Sequence, residues 1–116
     1  MPNIFGWVKV SVAVVTATLI AVAALVILLS GKMLDQEDEY ANYRDAVISA
    51  LMDAYKFLKR DRVFSIMDQE DQTVVVMELT EHVLKAAFKI IPRKHCKRLL
   101  ADAIEHMTKV TSGEIS

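Results

Sequence analysis

An all-α fold, with one N-terminal transmembrane helix followed by a small three-helix soluble domain, is expected from three observations. Residues Val10 to Gly31 form a run of 22 without a charge. Beyond Lys32 the apolar side chains recur at steps of three and four, the spacing of one helix face. Between Lys32 and Ser112 there is no glycine and a single proline, Pro92. That stretch therefore lacks the residues that supply positive φ to tight hairpins and phosphate-cradling loops.

The chain has 116 residues and a formal charge of −1. Its apolar residues are unevenly placed, 22 of the first 31 against 40 of the remaining 85. The second part has an ordinary globular balance and can form one small core. The near-neutral charge gives no general pull toward nucleic acid, and one cysteine excludes an intrachain disulfide framework. Nucleophile elbows, kinase signatures and Walker sequences are missing, so no cofactor and no enzymatic activity are expected.

The first element is a membrane anchor over residues 1–31, with its span at about 10–30. Twenty-two helical residues reach about 33 Å, against roughly 30 Å of bilayer hydrocarbon. Trp7 and Lys9 stand before the run as interface anchors, since an amphipathic ring and a snorkelling amine suit the headgroup layer. Ala21-Val22-Ala23 resembles a signal-peptidase site, but the apolar run continues from Ala24 to Leu29, so an uncleaved signal anchor is expected. Lys and Arg nearly balance across the two flanks. Lys9 before the run and Asp35, Glu37, Asp38 and Glu39 after it favour the N-terminus inside and the C-terminal domain outside. Ala13, Ala17, Ala21 and Ala24 follow one helical face and are candidates for anchor packing, because small side chains let helix backbones approach closely in lipid.

Residues 32–112 form the helical domain, with helices expected at about 36–60, 73–91 and 93–110. In the first, Tyr40, Tyr43, Val47, Ala50, Ala54 and Phe57 form one apolar row and Ile48, Leu51, Tyr55 and Leu58 a second. The face is wider than a two-stranded coiled-coil seam, so it calls for two neighbours. Residues 61–72 read as a linker tucked under the bundle, with Asp71 placed to cap the next helix. Val76, Leu79, Val83, Ala86 and Ile90 carry the second helix to Ile91. Pro92 ends it and can begin the third, whose stripe is Leu99, Leu100, Ala103, Ile104, Met107 and Val110. Residues 113–116 form a tail expected to fray.

The cluster Lys85, Lys89, Arg93, Lys94, Lys97 and Arg98 is the candidate partner or lipid contact. Arg93, Lys94, Lys97 and Arg98 fall in the first turns of a helix, where cations oppose the dipole, so helix stability does not account for them. They suit anionic headgroups or an acidic partner surface; the plainer alternative is pairing with Asp68, Glu70 and Asp71. Glu78, His82, Asp102 and His106 would lie level across a hairpin at Pro92, yet no CxxC or HExxH spacing occurs, and no metal is expected. Cys96, beside His95 and the cations, reads as a small core residue.

The expected function is that of a non-enzymatic, single-pass membrane protein whose helical domain is an interaction or assembly module of the accessory-subunit type. Its partners are the lipid bilayer and a protein, or a second copy, bound through the domain. The alternative is a small membrane-perturbing or lysis-related protein, of the phage holin, holin-regulator or spanin-like kind.

Overall fold

The computed structural model describes the backbone of residues 4–31 and 39–113 and the side chains of residues 11–29 and 39–113. The described residues form helices α1 (Ile4–Gly31), α2 (Glu39–Arg60), α3 (Arg62–Ile66), α4 (Gln69–Ala87) and α5 (Arg93–Thr111), with no strand among them. Residues 36–38, expected to open α2, lie outside the described part.

Helices α1, α2, α5 and α4 pack in that order around a ring: α1 touches α2 and α4, and α5 touches the same two from the opposite side. The buried side chains of all four form one core. Leu25, Leu51, Leu58, Leu79, Leu99 and Met107 are fully enclosed within it. The apolar helix therefore lies along the domain as its fourth wall.

Three local expectations are corrected. Residues 61–72 are largely helical. Asp61 caps α3 by accepting the Phe64 N–H at 3.0 Å, and this short turn drives Phe64 into the core at 2% exposure. The cap of α4 is Asp68, which accepts the Asp71 N–H at 2.9 Å, so that helix starts four residues before Thr73. Its first turn is polar, and the capping bond fixes its start. The far end of α4 stops at Ala87, because the chain needs Phe88 to Ile91 to turn: the Ile90 and Ile91 amides both donate to the Ala87 carbonyl. Pro92 then takes the N-cap position of α5, whose ending at Thr111 agrees closely with the expected 93–110.

Candidate functional site

Helix α1 has two faces that differ in burial but not in chemistry. Ala17, Ala21 and Leu25 are fully buried, with Ala13 and Val14 nearly so, against α2 and α4. Val12, Val15, Leu19, Ile20, Val26 and Ile27 are exposed, Leu19 at 66% and Ile27 at 71%. Over Ser11–Leu29 the helix is long and apolar enough to cross a membrane. The alanine row expected to pair anchors is thus used inside the chain, with Ala24 half-buried at its end. Trp7 and Lys9 lie on α1, and their side chains fall outside the described ones.

The surface beneath α1 can be located from helical spacing. On α2, the row facing α5 is Arg44, Ile48, Met52 and Tyr55, which line grooves shared with α5. Ala46 and Ala50 point to the other side of α2, yet both are fully buried, so α1 covers them. On α4 the row facing α5 includes Met77, Leu84 and Phe88, while Val75 and Leu79 point away from it and are also enclosed. Helices α1 and α2 pack together and both bury small side chains, Ala13, Ala17 and Ala21 on one and Ala46 and Ala50 on the other, which permits close backbone approach and dense dispersion contact.

This docked position and a bilayer-spanning position exclude one another. Asp45, Asp53 and Lys56 on α2 and Glu78 and Glu81 on α4 are exposed along the helices that flank α1. Carrying α1 into hydrocarbon with its neighbours attached would bring these charges with it, at ~2.5–3.5 kcal/mol each near the bilayer centre. Five such groups oppose spanning with the packing intact.

A second surface lies between α4 and α5. Met77, Thr80, Glu81, Leu84, Lys85, Phe88, Leu100 and Ile104 line an open, mostly apolar groove of about 430 Å³. Leu100 and Ile104 are each 41% exposed on its rim. Of the expected basic cluster, Lys85 lines this groove. Lys85 pairs with Glu81 at 3.1 Å on the same helix. Lys94 pairs with Glu39 at 3.5 Å, rather than with Asp68, Glu70 or Asp71, and Arg98 stacks 4.1 Å above the Tyr40 ring. Lys89, Arg93 and Lys97 are exposed and make no ion pair among the described residues, and the neighbouring Ile90 is exposed as well. The cluster divides into three surface cations that find a partner within the chain and three that make no ion pair among the described residues.

The start of α2 is held to α5 by a polar network that the sequence reading missed. The Tyr40 hydroxyl donates to the Asp102 carboxylate, and the His95 ring lies between those of Tyr40 and Tyr43, with centroids 5.6 and 5.7 Å away. His95 Nε2 also lies 3.2 Å from Glu39 Oε2. Burial, followed by the Asp102 bond, pushes the Tyr40 phenol up to about 12. The His95 bond, with Lys94 adding to it, lowers the Glu39 carboxyl from its ordinary value. Aromatic residues at Tyr40, Tyr43 and His95 were legible only as apolar or surface positions, since their partners come from a helix more than 50 residues away.

The four residues weighed as metal ligands do not converge. Glu78 and His82 pair with each other at 3.6 Å on the exposed face of α4. Asp102 is committed to Tyr40, and His106 lies toward α2, where burial and the charges of Arg44 and Lys109 lower its pKa. Cys96 packs half-buried against the core, with its thiol 3.6 Å from the Pro92 carbonyl oxygen. No family model matches the chain, and neither a similar curated protein nor a similar solved structure is found.

Proposed function

We propose that this is a non-enzymatic, single-pass membrane protein whose helical domain docks another protein. The observation that carries the reading is the outer face of α1, which presents Val12, Val15, Leu19, Ile20, Val26 and Ile27 where a water-soluble bundle would place charge. Acyl chains satisfy that face and every other face of an uncharged helix. The docking surface is the α4–α5 groove, an apolar channel with Lys85 in its lining and the exposed Lys89, Arg93 and Lys97 on the turn and first residues of α5 that follow. Its shape and charge fit an amphipathic helix with apolar residues at successive turns and acidic residues at one end.

The test is purification of the tagged full-length chain from its own membrane. Alkaline carbonate should leave it in the pellet, and mild detergent should release it with a partner in fixed ratio. Leu100→Glu with Ile104→Glu should lose the partner and keep the membrane retention. A chain that washes off with carbonate contradicts the membrane reading, and a partner retained by the double variant contradicts the groove.

A further inference from the structure

The geometry points to a second binding site, the α2–α4 face that α1 covers, closed in cis by α1 and opened when α1 enters the bilayer. The inference rests on the membrane reading above. Its ligand class is read from the occupant already seated there: an uncharged helix face with small residues one turn apart, here Ala13, Ala17 and Ala21, followed by Leu25. The site supplies the complementary surface, Ala46 and Ala50 on α2 with Val75 and Leu79 on α4.

The charges flanking α1 prevent it from spanning and docking at once. When it spans, this face loses its cover while α2, α4 and α5 remain in water. An exposed apolar trough between two helices is then available to any helix presenting the same row. A partner helix that acts in water needs one thing α1 lacks, a polar outer face. The bilayer thereby controls access: one helix serves as anchor in one setting and as plug in the other.

The probe is a labelled synthetic peptide of residues 10–31 in which Val12, Val15, Leu19, Ile20, Val26 and Ile27 are replaced by Lys, Glu and Gln, and the docking row is kept. It is titrated against the full-length chain reconstituted in phosphatidylcholine–phosphatidylglycerol vesicles, and against the full-length Leu19→Glu, Ile27→Glu variant in buffer. The two carboxylates fall on the exposed face, so docking is undisturbed while bilayer entry is opposed.

Saturable binding is expected to the vesicle-held chain, with affinity at least tenfold weaker for the charged variant. Exchanging the peptide's Ala17 and Ala21 for Leu should abolish binding, since both positions are fully enclosed when the helix is docked and the added volume has no room. Equal binding to both forms, no binding to either, or binding that ignores the leucines would overturn the inference. Circular dichroism of the charged variant guards the comparison; loss of its helices would also count against it, because docked α1 accommodates charge at those positions. Failure of the native chain to sediment with vesicles would instead reject the membrane reading beneath it.

Discussion

The outer faces of α1 and of the other long helices face the same surroundings in the docked bundle and are built oppositely. Helix α2 turns Asp45, Asp53, Lys56 and Arg60 outward, α4 turns out Glu78, Glu81 and Lys85, and α5 turns out Lys97, Glu105 and Lys109. Helix α1 turns out valine, leucine and isoleucine. Its inner face, by contrast, resembles theirs, with alanine and leucine packed to zero exposure. A helix polar on one side is committed to a water interface, whereas a helix apolar on both sides can exchange one apolar environment for another at small cost. The difference between α1 and the other bundle helices thus resides in the outer face alone.

That comparison is broken most severely by charging the outer face of α1. Leu19→Glu with Ile27→Glu adds two carboxylates, the first near mid-span at ~2.5–3.5 kcal/mol and the second, closer to the end of the span, at less. The full-length protein should move from the membrane pellet to the supernatant. Adding charge to an already polar face, as in Ser49→Lys on α2, should leave sedimentation unchanged.

Next in size is Phe64→Ala. Phe64 is 2% exposed, its ring meets Tyr55 edge-on at 6.4 Å, and truncation should cost ~3–5 kcal/mol of domain stability. Thermal melting reads this loss, and carbonate retention should not change, which would separate the stability of the domain from the anchoring.

Parts of this design were readable beforehand and parts were not, for definable reasons. The uncharged run and the rows of α2 and α5 carry a periodic signal over many turns, and those elements appear where expected. Helix α3 spans only five residues, too few for periodicity, although Asp61 three residues before Phe64 was a capping signal. The start of α4 was masked because its first turn, Gln69 to Gln72, holds no apolar residue; Asp68, three residues before Asp71, was the better cap. The docking of α1 was beyond reach, since an all-apolar helix shows no facial preference to a pattern search. Only the alanine row hinted at it, and that row fits a second anchor as well as it fits α2. Of the basic cluster, composition could not separate Lys94 and Arg98, which Glu39 and Tyr40 engage from a distant helix, from the outward Lys89, Arg93 and Lys97.

Overpacking the inner face is the third test. Ala17→Leu forces a larger side chain into a fully buried position and should destabilise the docked setting by ~1–3 kcal/mol. Because a spanning helix accepts leucine freely, the same variant should sediment with vesicles at least as well as the native chain.

The smallest effects concern the Tyr40 network. Tyr40→Phe removes one hydrogen bond to a carboxylate and should lower stability by about 1.5–3 kcal/mol at most, toward the lower value if water reaches Asp102. Its pH signature is more distinctive. The folded state raises the phenol from 10.0 to about 12, so the native chain carries a stabilising contribution that is complete below pH 10 and lost as pH rises through 12. At the acid end the signs reverse. His106 has a depressed pKa, so its contribution is present above about 6.5 and falls as pH drops below that value. Glu39, held below 4.5, adds a further loss at lower pH. Melting of native and Tyr40→Phe protein across pH 5 to 12 should give curves that converge only above pH 10.

The central claim is that α1 lies on the domain or crosses the bilayer, never both. It is tested most directly by spin labels at Val15 and Asp53, both exposed positions, with Cys96 replaced by serine. Val15 lies 16 residues before Gly31, about 24 Å along a helix, so spanning carries it far below the surface from which α2 begins. The same pair in the Leu19→Glu, Ile27→Glu background supplies the docked reference. In vesicles the account predicts a separation beyond about 25 Å, longer than that reference, together with a Val15 label reached by oxygen and shielded from aqueous nickel. A Val15 label within the hydrocarbon that keeps the docked separation from Asp53 would contradict it.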